Sequence, residues 1–202
     1  MTKTKRVTKW MLPAALLLLL ALVFTSVPAH AAGAEEGAST DTTEANVSFE
    51  AGALKIDSAP VLNFGNHAIS HEEQAYQAEG AANLQVSDLR GKGTGWDLYV
   101  ALSGFKLAES DGPTLKAASI HFASPKVTAV NGTVGAPPAA KAEVSLSSDN
   151  TETLLWQAKT GEGMGVWSLG WEASNITLKV KPGTAEEGNS VATLTWSLQS
   201  TP

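Results

Sequence analysis

The chain has 202 residues and no cysteine, and its 14 basic and 20 acidic residues give a net charge of −6 at pH 7. The lack of cysteine excludes disulfides, thiolate zinc sites, a cysteine nucleophile and lipidation on cysteine. The acidic balance argues against nucleic acid as a partner, and against capture of anionic wall or membrane polymers by charge alone.

Residues 1–31 have the three parts of a secretory signal peptide, in the usual order. Four basic residues come first, an apolar run follows over residues 11–24, and Ala-His-Ala at residues 29–31 makes a small-x-small cleavage site. The run is shorter than the roughly 18 apolar residues of a membrane anchor. We therefore predict cleavage after Ala31. None of the 20 acidic residues lies in this segment, so the mature chain carries ten basic residues and a net charge of −10.

Residues 32–45 are small, polar and acidic, which is typical of a disordered linker. From residue 46 onward, short segments alternate apolar and polar side chains between Gly, Pro, Asn and Asp breaks, and such alternation predicts half-buried strands. We expect a single sandwich-like, all-β domain of short strands over residues 46–202. The clearest predicted strands are 53–58, 83–88, 96–102, 119–124, 126–130, 142–146, 175–180 and 191–198.

Two local patterns add to this picture. Residues 67–80 have some helical character and could form either a short helix or a polar loop. The dipeptide Asn131-Gly132 follows one of the predicted strands and is a strong signal for a hairpin turn.

The tripeptide Trp-x-Leu occurs three times, at residues 96–98, 167–169 and 196–198. Residues i and i+2 of a strand point to the same face, so each tryptophan stands beside its leucine and the middle residue points away. Such a patch is usually core. It is a binding platform where two copies flank one groove, because an indole face can stack on the apolar side of a sugar ring.

Two stretches together identify a family. VSDLRGKGTGWDLYV at residues 86–100 and VATLTWSLQSTP at residues 191–202 resemble the WxL domain of Gram-positive surface proteins. That family has a proximal Trp-x-Leu after a V-x-D-x-R-G…G-W stretch, and a distal T-W-x-L followed shortly by proline. The opening ALKIDSAPVLNFG is also similar, so the resemblance covers nearly the whole mature chain.

The resemblance implies a secreted protein that attaches non-covalently to the wall of a Gram-positive cell by binding peptidoglycan. It implies partners of the same family and a membrane-anchored WxL-interacting protein, with no direct membrane insertion after signal cleavage. Asp88 and Arg90 match a charged pair that we interpret as shaping the site. The implied ligand-binding residues are Trp96, Asp97, Leu98, Trp196, Ser197 and Leu198. The third copy lies in a region where the family often has an aromatic residue but no defined motif. We expect Trp167 to be structural; the alternative is that Trp167 and Trp171 add to the same aromatic surface.

Other constellations carry less. His67 and His71 are four residues apart and precede two glutamates, but we expect solvated loop residues rather than a metal site. No catalytic motif is present in the sequence, so we expect a non-enzymatic wall-binding module without a cofactor. The alternative is a protein-docking module, in which wall retention comes through a complex with the membrane-anchored partner. A wall hydrolase ranks third.

Overall fold

The computed structural model describes residues 41–110 and 112–202. Val47–Pro202 form one compact unit. Residues 41–45 are exposed and have no regular secondary structure. The predicted signal peptide and residues 32–40 of the predicted linker lie outside the described residues, so both stay predictions.

The described chain is almost entirely β-structure, which confirms the predicted fold class. Most strands follow the alternation in the sequence, because neighbouring side chains of a strand point to opposite faces of the sheet. The strands are β1 (Leu54–Ser58), β2 (Gln74–Gln77), β3 (Ala82–Asp88), β4 (Trp96–Leu102), β5 (Lys106–Leu107), β6 (Ser119–Ala123), β7 (Lys126–Ala129), β8 (Ala139–Ala140), β9 (Glu143–Ser147), β10 (Thr153–Ala158), β11 (Gly165–Trp171), β12 (Ile176–Val180), β13 (Ser190–Val191) and β14 (Leu194–Ser200).

The strands form three four-stranded antiparallel sheets and one small ribbon. Sheet I has the order β1-β3-β11-β7, sheet II the order β14-β4-β10-β8, and sheet III the order β2-β12-β6-β9. The ribbon pairs β13 with β5. Most of these neighbours are far apart in the chain, so the fold depends on long-range pairing.

The three large sheets contribute to one hydrophobic core. Leu84 from sheet I, Leu98 and Trp156 from sheet II, and Ile176 from sheet III are all fully buried and belong to one cluster. The chain has no disulfide to support it, so burial of this apolar surface is the main source of its stability.

Residues 67–80 contain no helix; residues 67–73 form a loop, but Gln74–Gln77 form a strand that neither alternative predicted. The segment runs as a loop into β2, which pairs with β12. His67 stacks on Tyr76 of that strand, with ring centroids 3.8 Å apart and an interplanar angle of 13°. A short 3₁₀ helix is present at Ala173–Asn175. Across residues 41–110 and 112–202, no helix is long and apolar enough to cross a membrane.

Candidate functional site

Two of the three Trp-x-Leu copies lie on neighbouring strands of sheet II. The proximal copy, residues 96–98, begins β4, and the distal copy, residues 196–198, lies in β14. The two strands are antiparallel, with Leu198 opposite Leu98 and Trp196 opposite Val100. Directly opposite residues share a face of the sheet. Both copies therefore direct tryptophan and leucine to the same side of the sheet.

The two motif tryptophans share this face without touching. Trp96 lies opposite Ser200, whereas Trp196 lies opposite Val100, so four residues of register separate them. At the ordinary rise of a strand, this offset corresponds to roughly 13 Å. The two indoles therefore belong to one strand pair but do not form a single stacked pair.

The proximal copy is part of the core. Trp96 and Leu98 are both 0% exposed. The Trp96 ring meets Trp156 edge to face, with centroids 5.1 Å apart and an interplanar angle of 90°. Its Nε1–H points at the carbonyl oxygen of Gly163, 3.4 Å away. In this arrangement the side chains of Trp96 and Leu98 offer no face to a ligand, and they fix the position of β4 instead.

Two glycines near Trp96 lie where a larger residue would not fit. A Cβ on Gly95 would lie 2.1 Å from the carbonyl oxygen of Ala158. A Cβ on Gly163, which has φ +70°, would lie 2.8 Å from Nε1 of Trp96. Larger residues at either position would collide with the backbone or with the indole. The sequence Gly-Thr-Gly-Trp at residues 93–96 indicated the position of Gly95, whereas it gave no indication of Gly163.

The distal copy is only half-buried and borders a cleft of about 800 Å³. Trp196 lines this cleft, and so do residues 59–70. Three apolar residues that line it are also exposed: Val61 at 96%, Ile69 at 61% and Val191 at 46%. Of the two tryptophans assigned to the site, Trp196 is therefore the one that a molecule in the cleft could contact.

The middle residues of both motif copies point to the opposite face of sheet II. The Oδ1 atom of Asp97 accepts a hydrogen bond of 2.7 Å from the Nε2 of Gln157. The Ser197 hydroxyl donates one of 2.8 Å to Oε1 of Glu152. The six predicted site residues are thus divided between a core-facing side and a solvent-facing side of the same strand pair.

Asp88 and Arg90 form a two-pronged ion pair at the end of β3. The guanidinium Nε and Nη2 atoms each donate to a different Asp88 oxygen at 2.8 Å. Nη2 also reaches the carbonyl oxygen of Thr94 at 2.9 Å, and Nη1 donates to the Ser200 hydroxyl. Asp88 raises the pKa of Arg90 above its ordinary value through these hydrogen bonds. The pair links β3, the turn before Trp96, and β14, while its effect on binding stays a prediction.

The third copy lies apart from the other two, in β11 of sheet I. Trp167 is 5% exposed and Leu169 is 0% exposed, and the Trp167 Nε1–H donates to the carbonyl oxygen of Met164 at 2.9 Å. The Ser168 hydroxyl donates to the Oδ1 of Asn83. Trp167 is therefore a core residue, as predicted.

The histidines of the 67–73 segment have local roles. The Nε2 of His67 lies 2.5 Å from the carbonyl oxygen of Phe64, which holds the loop beside the cleft. In the part of the chain that the structure describes, no group of three or more His, Asp or Glu side chains could hold a metal ion.

The fold and the pairing of β4 with β14 define an all-β domain with two Trp-x-Leu copies on one strand pair. The family model described as WxL domain, surface cell wall-binding, matches residues 30–202. The chain therefore belongs to this family, and it is a cell-surface protein that attaches to the cell wall. The family is one of wall-binding rather than catalytic domains. No curated protein and no solved structure matches the chain.

Proposed function

We propose that the domain attaches to the cell wall by binding peptidoglycan non-covalently and without catalysis. In this proposal the two Trp-x-Leu copies on β4 and β14 carry the interaction, and Asp88 and Arg90 keep the two strands in place. The proposed site residues are Asp97, Trp196, Ser197 and Leu198, together with Trp96 and Leu98, which support them from the core.

The observation that supports this proposal is the register of β4 and β14. It puts both motif copies on one strand pair and leaves the distal tryptophan beside an open cleft. The roles then differ: Trp96 and Leu98 act from the core by holding β4, while Trp196 presents its ring in the cleft. Aromatic walls with a few polar groups are common in ligand sites.

The test is co-sedimentation of residues 32–202 with peptidoglycan stripped of teichoic acid. We expect the parent to bind and Trp196→Ala to bind at least tenfold more weakly, since stacking and apolar contact would both be lost. The matched control is Phe49→Ala, because Phe49 is an aromatic residue that is 89% exposed and lies outside the cleft. A well-folded parent that stays in the supernatant would refute the proposal.

The non-catalytic part has its own test. The support for it is the family, whose members are described by wall binding. Incubation of the purified domain with peptidoglycan should release no soluble muropeptides above a buffer control. Release that rises with protein concentration would assign a hydrolase activity instead.

A second candidate is a docking module for a partner protein, such as a membrane-anchored WxL-interacting protein or another WxL protein. The exposed apolar residues Val61, Ile69 and Val191 beside the cleft favour it, because such groups are typical of protein interfaces. If the isolated domain fails to bind the wall but binds when a purified partner is present, and Ile69→Ser abolishes the complex, this candidate replaces the first.

A further inference from the structure

We propose that the solvent-facing side of sheet II binds a primary ammonium group carried by the wall peptide. This proposal rests on the proposed function and adds the chemical group that the site recognises. We call this side the outer face. The residues of this face that carry the proposal are Asp97, Tyr99, Glu152, Gln157, Ser197 and Gln199.

The register puts an aromatic ring at the centre of the outer face. Tyr99 of β4 lies opposite Ser197 on one side and Leu154 on the other. In the adjacent row, Asp97 lies between Gln199 and Gln157. Tyr99 is half-buried, and within residues 41–110 and 112–202 its hydroxyl has no hydrogen-bond partner. The ring is thus fixed by the sheet but still open to solvent.

Two carboxylates near this ring are each held in position through one oxygen. The Oδ1 of Asp97 accepts from Gln157, and the Oε1 of Glu152 accepts from Ser197. Among the described residues, the second oxygen of each carboxylate accepts no hydrogen bond. Each acid is therefore oriented and still has a free acceptor atom.

The contact between Glu152 and Ser197 places a charge over the middle strand. Glu152 immediately precedes β10, whereas Ser197 belongs to β14, and β4 lies between those two strands. Their hydrogen bond must cross β4 on the side to which Ser197 points, which is also the side of Tyr99. Ala101 of β4 has the small side chain that this crossing needs, and it is 3% exposed.

The charge of the outer face selects the ligand. The ionisable groups of these six residues are two carboxylates and a phenol. Carboxylates only accept hydrogen bonds, and bonds from an ammonium are roughly twice as strong as those from a neutral donor. The ring of Tyr99 also attracts a cation. A sugar hydroxyl lacks the charge, and a peptide carboxylate would be repelled.

A primary ammonium therefore fits this face better than a neutral or an anionic group. Wall peptides supply such groups on diamino acid residues whose side-chain amine has not been cross-linked. The cell wall is rich in anionic polymers, which the carboxylates of the outer face repel. The same carboxylates attract the cationic groups of the wall peptide, so the outer face would select the peptide over those polymers.

The test compares native peptidoglycan with peptidoglycan whose amines have been N-acetylated, both free of teichoic acid. Co-sedimentation is measured for the parent and for the double variant Asp97→Asn/Glu152→Gln, which preserves side-chain shape. The control is Glu143→Gln, which makes one of the same changes at an exposed glutamate of β9, in sheet III. Circular dichroism checks that each protein is folded.

We expect N-acetylation to weaken binding of the parent and of Glu143→Gln about fivefold, the size of an exposed cation–π and ion-pair contact. The double variant should bind native peptidoglycan as weakly as the parent binds the acetylated form, with no further loss on acetylation. Such non-additivity is what a direct contact produces. Tyr99→Phe should bind like the parent, and Tyr99→Leu should bind more weakly.

The failures are distinguishable. A parent that binds both forms of peptidoglycan equally overturns the ammonium site and leaves peptidoglycan binding intact. A double variant that is weakened yet still sensitive to acetylation also overturns it, since the carboxylates then contact another group. A folded parent that binds neither form overturns both proposals.

Discussion

Each of the two motif tryptophans precedes a leucine by two residues, but their energetic roles differ. Trp96 is 0% exposed, whereas Trp196 is half-buried at the edge of sheet II. Removing a buried tryptophan leaves a large cavity and costs about 3–5 kcal/mol. We expect urea denaturation to show that loss for Trp96→Ala and about 1–2 kcal/mol for Trp196→Ala, because part of that ring is already in water. Equal losses for the two variants would contradict the burial difference.

Two ion pairs, Asp88–Arg90 and Asp57–Lys55, differ in burial and should therefore differ in their contribution to stability. The Asp88 side chain is 2% exposed and that of Arg90 is 15% exposed, whereas Lys55 is 60% exposed in its pair with Asp57. Removing one partner of a buried pair leaves a charge without compensation and costs about 3–5 kcal/mol. We predict such a loss for Asp88→Ala and less than about 1 kcal/mol for Lys55→Met, both measured by urea denaturation. A larger loss for Lys55→Met would contradict this.

Asp57 should make stability depend on pH. The Ser87 hydroxyl donates to this carboxylate and, together with Lys55, holds the pKa of Asp57 below its ordinary value. A lowered folded-state pKa stabilises the protein above the unfolded pKa of about 3.9, and this contribution is lost as the pH falls through the folded value. We therefore expect Asp57→Asn to be less stable than the parent at pH 7. In acid-range thermal melts below about pH 4 the difference should shrink, and a constant difference would contradict the assignment.

At the scale of strands, the eight predicted segments did not include the short strands β2, β5 and β8 or the longer strands β10 and β11. The eight alternating segments all contain strands of the structure. Neither β10 nor β11 was identified as a strand from the sequence. The register of β10 against β4 shifts between Leu154 and Trp156, which breaks the period of two. Gly165 and Gly170 of β11 lower its β propensity, and pairing with β3 and β7 on both sides supplies the missing stability.

The Asn131-Gly132 turn was predicted correctly, but its hairpin was not. Both residues have positive φ, 54° and 71°, as a type I′ turn requires. The residues after the turn nevertheless do not pair with β7, which pairs with β11 instead. Local turn chemistry can be read from a dipeptide, whereas the choice of a strand partner depends on contacts far away in the chain.

The sequence predicted that the two motif copies of the candidate site lie on strands, but it did not predict how exposed their tryptophans are. The alternation predicted strands over residues 96–102 and 191–198, but it did not show that the two strands pair with each other. No residue pattern could show that Trp96 would be buried while Trp196 borders a cleft, because both belong to the same tripeptide. That difference arises from position: β4 lies between β14 and β10, whereas β14 is an edge strand.

The edge strand β14 should nonetheless be essential to the fold. It pairs with β4 along its whole length, and Leu194, Trp196 and Leu198 pack against the core. Their removal would expose part of β4 and cost several kcal/mol, which is comparable with the whole stability of a typical domain. A chain that stops at Thr193 should therefore lose its cooperative thermal transition, followed by circular dichroism. A chain that lacks only Pro202 is the control, and two similar melts would refute this prediction.

At the scale of the whole molecule, the lack of cysteine bears on how the exported protein stays folded. A chain without cysteine gains nothing from an oxidising compartment, so its stability outside the cell depends on the core that sheets I, II and III share. The same chain is strongly acidic after residue 31 and basic before it. This difference in charge indicates that residues 1–31 and residues 32–202 have separate roles, export and wall attachment.

We predict that export removes residues 1–31 and leaves Ala32 as the first residue. The basic start, the short apolar run and the small residues Ala29 and Ala31 together match what signal peptidase requires. Intact-mass spectrometry of the protein released from the cell surface should therefore give the mass of residues 32–202. A variant with Ala31→Leu should keep the full-length mass, because a large side chain blocks the cleavage pocket, whereas Ala34→Leu should be cleaved normally. A surface protein that retains residues 1–31 would mean that the apolar run serves as an anchor, and wall binding would then no longer be needed to keep the domain at the cell.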